Sequence, residues 1–498
     1  MNFWMAGTAV WLALSVAAHA EVRLPNVIGS NMVLQRDMEL TLWGWADPGE
    51  EVTVKLGASS AKSAANSRGE WKVKLPAQSA GGPHTVTIAG KNTIELTNVL
   101  VGEVWLASGQ SNMEMPLFNT DTRVKNEIGS ASYPKIRLFN VNASRIRWMA
   151  YILPQPDVDP AVGWTECTPE TATSFSAAAY YFGKYIHKEL NVPVGLINAT
   201  WGGTRIELWT PPLGFALADD PTIKAIGEAQ SWKVSLYVAA AEKAQAAGQP
   251  PPSPLSDLVA PFGLYNGFIH PLAPFPIRGV LWYQGESNLG GGMSYAEKMN
   301  GMIQSWRAEW AQGDFPFLYV QLAPYDKPIY GRGNIELVYA LPEMWESQAA
   351  VLGRVTNTGM CVTTDIGNLT NIHPINKEEV GRRLSLWALA KTYGRTNLVY
   401  SGPRYKGMLI EGSKIRLEFD HVGTGLASRD GQPLNWFQIA AGTNTFVEAN
   451  AIIDGNTVVV SSDQVANPTA VRFGWDKVAQ PNLINNAGLP AAPFRTGR

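Results

Sequence analysis

From Glu21 to about Leu100, apolar and polar positions alternate in short runs such as Glu39-Leu40-Thr41-Leu42-Trp43-Gly44-Trp45, Glu51-Val52-Thr53-Val54-Lys55 and His84-Thr85-Val86-Thr87-Ile88. A period of two, interrupted by Gly, Pro, Asn and Ser clusters, predicts antiparallel strands with one face in water. The stretch 21–100 therefore reads as a small β domain. From about Val101 the rhythm changes to continuous apolar runs followed by helical patterns, as expected of a mostly parallel sheet covered on both faces. Predicted strands are Glu103–Ala107, Val194–Asn198, Gly279–Tyr283, Phe317–Gln321 and Met360–Thr364.

Two helices are clear within this α/β region. One spans about Ser176 to Leu190, with Ala178, Phe182 and Ile186 on one stripe. The other opens at Asn376 with Glu379 three residues on, a capping-box spacing, and carries Val380, Leu384, Trp387 and Lys391 at helical intervals. Between 215 and about 258 an Ala-rich, helical excursion covers the sheet or rims its cleft, ending in a proline-rich run from Pro250 to Pro254 that no helix continues. After about Tyr400 alternation returns, as in Lys414–Phe419 and Asn456–Val460. The expected organisation is an α/β domain over 101–399 and a C-terminal β-rich unit over 400–498, its tail returning to the α/β domain.

The first twenty residues differ from all of this. An apolar run from Ala9 to Ala18 ends in Ala18-His19-Ala20, the small-x-small pattern of a signal-peptide cleavage site, so 1–20 is expected to be removed and the protein exported to the periplasm or secreted. No Lys or Arg precedes the run, which departs from the usual n-region. No later segment has about 18 consecutive apolar residues, so no membrane span is expected.

Charge and cysteine count narrow the partners. The 498-residue chain carries a formal charge of −2 with both signs interspersed, leaving no basic stripe for nucleic acid and no block for an anionic membrane. A neutral or weakly charged substrate suits it better. Its two cysteines, Cys167 and Cys361, exclude a disulfide framework and a Cys-rich metal site, and whether they pair stays open.

Candidate chemistry gathers at strand ends, where the crevice of an open parallel sheet lies. Four of the five predicted strands run into polar or glycine-rich stretches: Ser108–Asn112, Thr200–Thr204, Gln284–Asn288, and Asp365 with the loop to His373. Ser111 then sits at a tight turn after Gly109, where a serine can attack an ester carbonyl if a base takes its proton. A helix-capping serine is the commoner role for any single serine.

Among the six histidines, His19 falls in the leader, His84 and His421 in the β units, and His187 beside lysines on a helix. His373, in a loop between a strand end and a capped helix, is favoured over His270, whose apolar neighbours suggest a rim or core residue. An oxyanion needs convergent donors. The Ser111 N–H, a glycine N–H from Gly202 or Gly203, and the Gln284 amide are suitable. Paired glycines after a strand are equally ordinary turn formers.

Several long stretches carry a resemblance: Gly102–Met113, Gly195–Thr204, Trp282–Asn288, Thr363–Gly367 and Ile372–Leu384, in that order. On these the chain resembles the sialate O-acetylesterase-like carbohydrate esterases of the SGNH (GDSL-like) hydrolase superfamily, over nearly all of the chain after Ala20. The resemblance implies a three-layer α/β/α domain with β-sandwich-like accessory units. It makes Ser111 the nucleophile, His373 the base, and Ser111, the loop glycine and Gln284 the oxyanion hole. It also implies that no metal or organic cofactor takes part.

Many superfamily members place an aspartate three residues before the histidine, where this chain has Thr370. A backbone carbonyl, Asp365, or no acid at all is left to orient His373. Trp201, whose aromatic face suits a sugar ring, is a candidate substrate contact, together with Arg205 and Asn288. The expected substrate is an O-acetylated oligosaccharide or polysaccharide, either a plant cell-wall glycan such as xyloglucan or a sialoside. A glycan-binding protein on a vestigial hydrolase fold is the alternative. A peptidase or lipase is disfavoured because the Gly-x-Ser-x-Gly elbow is absent.

Overall fold

A computed structural model of the chain describes residues 21–121, 124–141, 162–250, 260–326, 337–442 and 445–497. The expected signal peptide and the proline run after Pro250 lie outside the described residues. At the centre is a sheet whose strands lie in the order Thr358–Cys361, Phe317–Val320, Gly279–Tyr283, Thr93–Gly109, Val194–Thr200, Tyr133–Asn140, Thr165–Cys167. All neighbours on this path pair in parallel except the last, which runs antiparallel to Tyr133–Asn140. Helices such as Ala177–Leu190, Ser294–Trp310, Leu337–Arg354 and Lys377–Trp387 accompany it, giving the expected α/β class.

The five predicted strands are all present, the last beginning two residues early at Thr358. Tyr133–Asn140 was not predicted from the sequence. Its apolar run is broken by Arg137, which is nonetheless only 2% exposed because its guanidinium reaches the Pro134 carbonyl at 3.0 Å and Asn98 Oδ1 at 3.2 Å. The guanidinium also lies 3.2 Å from the Glu166 carboxylate, and a buried arginine satisfied by such partners is invisible to a hydrophobic pattern.

The N-terminal antiparallel strands are not separated from this sheet. Thr93–Gly109 is one strand of 17 residues whose first half pairs with Gly81–Ala89 and whose second half lies in the parallel sheet. Val33–Gln35 joins it in parallel at Leu100–Gly102, so a single ladder runs through the expected boundary at about Leu100. One apolar core is accordingly continuous from Val22 through the parallel sheet. A second core, built from Ile415, Leu417, Phe437, Val458, Val471 and others, fills the C-terminal sheets. The tail strand Phe494–Arg495 pairs there, and Arg495 reaches Glu346 on the helix Leu337–Arg354 at 2.8 Å.

Ser176 caps the helix Ala177–Leu190, its hydroxyl accepting from the Ala179 N–H at 3.3 Å. Asn376 caps the second predicted helix, accepting from the Glu379 N–H at 3.2 Å. The Glu379 carboxylate does not complete the expected capping box. It is drawn to Arg382 and Arg383 on its own helix, where two guanidinium groups outcompete a single backbone N–H. The Ala-rich excursion forms the helices Pro212–Ala216 and Pro221–Ala246. Beyond its first turns the longer helix is largely exposed, so it stands away from the sheet more than it covers it.

Candidate active site

The strand order reverses direction at Thr93–Gly109: Val194–Thr200 adds on one side and Gly279–Tyr283 on the other. Such a switch point leaves a crevice beyond the carboxyl end of the central strand. Gly109 closes that strand with φ +131°, and a Cβ there would collide with the Tyr283 carbonyl, so only glycine lets the chain turn this close to its neighbour. The turn delivers Ser111 as the first residue of the short helix Ser111–Glu114. A first-turn N–H has no acceptor within its own helix, so the Ser111 amide is available to a ligand.

Across the crevice, the His373 Nε2 lies 2.8 Å from Ser111 Oγ. His373 is half-buried, and its loop is held by short polar links. Asn368 Oδ1 accepts from the Thr370 and Asn371 N–H groups, at 2.9 and 3.1 Å, and Asn371 Oδ1 accepts from the His373 N–H at 3.0 Å. Burial lowers the imidazole below its ordinary range, and the nearby Lys377 ammonium lowers it further. The neutral form, able to accept a proton, is therefore favoured.

Gly202 packs directly on the serine, since a Cβ there would lie 3.3 Å from Ser111 Cβ and 2.9 Å from Glu114 Oε2. The preceding Trp201 N–H donates to the Gly109 carbonyl at 3.1 Å, which ties this loop to the turn. Gly203, with φ +73°, faces open space instead. Trp201 is half-buried with its ring edge-on to Phe268, while Trp209, Trp282 and Trp345 are fully buried core. Arg205 is exposed, its guanidinium 3.5 Å from Glu207.

Three expected contacts are not brought to the crevice. Gln284 is fully buried, and its amide N–H groups meet the Thr204 carbonyl at 3.0 Å, Asn288 Oδ1 at 2.8 Å and Gln110 Oε1 at 3.2 Å. Its Oε1 accepts from the Tyr295 hydroxyl at 2.8 Å, so the side chain is an interior bracket with no donor left for an oxyanion. Asn288 is likewise interior, accepting from the Ile206 N–H at 2.9 Å and donating to Glu207 at 2.8 Å. Asp365 is taken by Arg383, which bonds both carboxylate oxygens at 2.7 and 2.6 Å. Among the described residues no carboxylate is bonded to His373 Nδ1. His270 pairs with Glu309 at 2.9 Å, a rim histidine as expected.

The sequence patterns assigned no role to a buried trio beside the serine. Asn112 donates to Glu286 Oε1 at 2.5 Å and to the Ile372 carbonyl at 3.0 Å, and it accepts from Lys377 Nζ at 2.6 Å. Burial pushes Lys377 down to about 7 and the Glu286 carboxyl above its ordinary range, each partly offset by the other's charge. A lysine beginning a capped helix reads as a solvated residue, so only the motif Ile372–Leu384 hinted at it. Cys167 and Cys361 are both free and buried, their thiols pushed up to about 12 by burial. Among the described residues no three His, Cys, Asp or Glu side chains are gathered to hold a metal ion. None of the described helices is long and apolar enough to cross a membrane.

Comparison with known proteins identifies the family. Residues 101–373 match the family described as carbohydrate esterase, sialic acid-specific acetylesterase. The sialate O-acetylesterase of Mus musculus is 28% identical, covering 97% of this chain and 95% of its own length. That of Homo sapiens is 29% identical over 76% of this chain and 73% of its own. A solved carbohydrate acetylesterase from Xanthomonas citri is 37% identical with a TM-score of 0.80, covering 96% of this chain and 100% of that one. The chain belongs to the sialate O-acetylesterase-like family of carbohydrate esterases.

Proposed function

We propose that the chain hydrolyses O-acetyl esters of carbohydrates through an acetyl-enzyme on Ser111, with His373 as general base and, among the described residues, no carboxylate partner. The observation that carries this reading is the 2.8 Å approach of His373 Nε2 to Ser111 Oγ, two residues 262 apart in the chain. Nε2 takes the hydroxyl proton as Oγ bonds to the acetyl carbon, and the carbonyl electron pair moves onto oxygen. The Ser111 and Gly202 amides are the donors best placed for that oxyanion. Collapse expels the sugar oxygen, which receives the proton from Nε2, and water repeats the sequence to release acetate. Orientation of the imidazole then rests on its packed loop, which is chemically sufficient because supplying the base matters more than aligning it.

For the substrate we favour neutral plant cell-wall glycans over sialosides. A sialate carboxylate calls for an unspoken-for cation, and Arg205, the cation of the loop after Trp201, already lies 3.5 Å from Glu207. Trp201 offers a half-exposed ring for a sugar face. Ala18-His19-Ala20 supports export, and the interspersed charge supports neither a nucleic-acid nor a membrane partner. A binding-only role, motivated by the missing acid before His373, is disfavoured by the contact between Ser111 and His373.

Acetate release is measured from p-nitrophenyl acetate, acetylated xyloglucan, acetylated xylan and O-acetylated sialosides, with wild type and Ser111→Ala. Loss of turnover in Ser111→Ala is expected, with plant glycans preferred. Equal rates in the two proteins would sink the mechanism, and turnover confined to sialosides would sink the substrate assignment.

A further inference from the structure

Lys377 is 1% exposed, although it opens a helix only four residues after His373. Its ammonium donates to Asn112 Oδ1 at 2.6 Å and lies 4.8 Å from the centre of the Tyr283 ring. Asn112 immediately follows Ser111. Its N–H groups reach Glu286 Oε1 and the carbonyl of Ile372, the residue before His373. With a cation on the amide oxygen and two acceptors on the amide nitrogen, the side chain has one chemically consistent orientation. The serine turn, the loop after Gly279–Tyr283 and the histidine loop thus converge on one amide held by one buried cation. A buried ammonium is expensive to desolvate, yet one is kept here on the single amide that joins the three loops.

We propose that Lys377 is a positioning residue of the esterase reaction: through Asn112 it clamps the turn carrying Ser111 to the loop carrying His373, keeping Oγ and Nε2 at reacting distance. The clamp rests on the Ser111 and His373 reading above. The lysine's charge has a second consequence at the same place. Burial, and after it the Lys377 cation, holds the imidazole below its ordinary range. Among the described residues, the other charged or titratable groups nearby are Glu286, beside Asn112, the buried Tyr283 phenol, whose ring lies under Lys377, and Glu114 on the serine's short helix, its carboxylate against Gly202. On the lysine's own helix, Glu378 accepts from Tyr185 and Glu379 from Arg382 and Arg383. Lys377 keeps its proton below about 7, the range in which His373 titrates.

The test uses p-nitrophenyl acetate with wild type, Lys377→Met, Lys377→Gln, Asn112→Ala and Ser111→Ala, each checked for folding by circular dichroism and thermal denaturation. Lys377→Met is expected to lower kcat by roughly 10²-fold, the scale of an ångström-sized misplacement, with little change in KM. The acid limb of kcat/KM moves to higher pH in Lys377→Met and Lys377→Gln, because one of the influences lowering His373 is gone. Lys377→Gln, which keeps an N–H donor for Asn112, regains part of kcat but not the limb.

A folded Lys377→Met enzyme with wild-type kcat overturns the clamp. So does an activity loss that merely follows the fraction folded while the limb stays in place. If Lys377→Met does not fold, Asn112→Ala decides: reduced kcat supports the clamp and wild-type kcat overturns it. A wild-type rate in Ser111→Ala overturns the underlying reading and the clamp with it. An inactive Ser111→Ala beside an unaffected Lys377→Met overturns the clamp alone.

Discussion

Replacing Asp365 with asparagine separates two roles for one carboxylate, and the geometry favours the structural one. Both carboxylate oxygens bond Arg383, and the two side chains are 8% and 5% exposed. Removing one partner of a buried ion pair usually costs about 3–5 kcal/mol. Here Arg383 retains the Val362 carbonyl at 2.6 Å and Glu379 at 2.7 Å, and asparagine keeps one acceptor oxygen. The loss should therefore fall at the low end, about 3 kcal/mol. That is roughly a hundredfold in the folding equilibrium.

An acid that orients the base behaves differently. Its amide variant folds normally but loses about 10⁴-fold in kcat, as in serine protease triads. The assay is p-nitrophenyl acetate hydrolysis at a temperature where circular dichroism shows the variant folded, alongside urea denaturation. Asp365→Asn should denature at lower urea and keep kcat within about tenfold of wild type, far short of the triad effect. A fall of about 10⁴-fold with an unchanged denaturation curve would refute the reasoning and restore Asp365 as the orienting acid.

Because burial and then Lys377 lower His373, its neutral form persists below the ordinary histidine range. The acid limb of wild-type kcat/KM should lie below pH 6.5, and a limb centred above that value contradicts the assignment. Gly202→Ala places a Cβ 3.3 Å from Ser111 Cβ and 2.9 Å from Glu114 Oε2. Steady-state kinetics should show kcat reduced by one to two orders of magnitude, roughly the effect of a small displacement of the serine. Gln284→Leu leaves the Thr204 carbonyl, Gln110, Asn288 and Tyr295 short of partners, so chemical denaturation should report a loss of roughly 2–3 kcal/mol. Trp201→Ala should raise KM for acetylated xyloglucan while leaving KM for p-nitrophenyl acetate nearly unchanged. Equal effects on both substrates would mean that the ring only supports the turn.

Much of this protein is legible in the order of its residues alone. Strands such as Gly279–Tyr283 are buried on both faces and so appear as unbroken apolar runs. The helix Ala177–Leu190 is amphipathic and capped, so period and boundary are both local signals. Ser111 and His373 can be paired from the sequence because each follows a strand end, and strand ends of a parallel sheet share one edge. Tyr133–Asn140 escapes such a reading because its arginine is satisfied by Pro134, Asn98 and Glu166, contacts that no pattern encodes.

What only the tertiary structure decided is the direction of each side chain after those strand ends. Gln284, Asn288 and Asp365 stand in the same kind of loop as Ser111, yet they turn inward to the Thr204 carbonyl, Glu207 and Arg383. Lys377 reads as a surface cation and proves to be buried on an amide 265 positions away. The reason is physical: a turn's rotation depends on which neighbour offers the better hydrogen bond, and those neighbours are chosen by strand order and packing. Sequence thus determined the sheet, its chemistry-bearing edge and the serine and histidine that meet there. The fold determined which polar residues face the crevice and which hold it in shape.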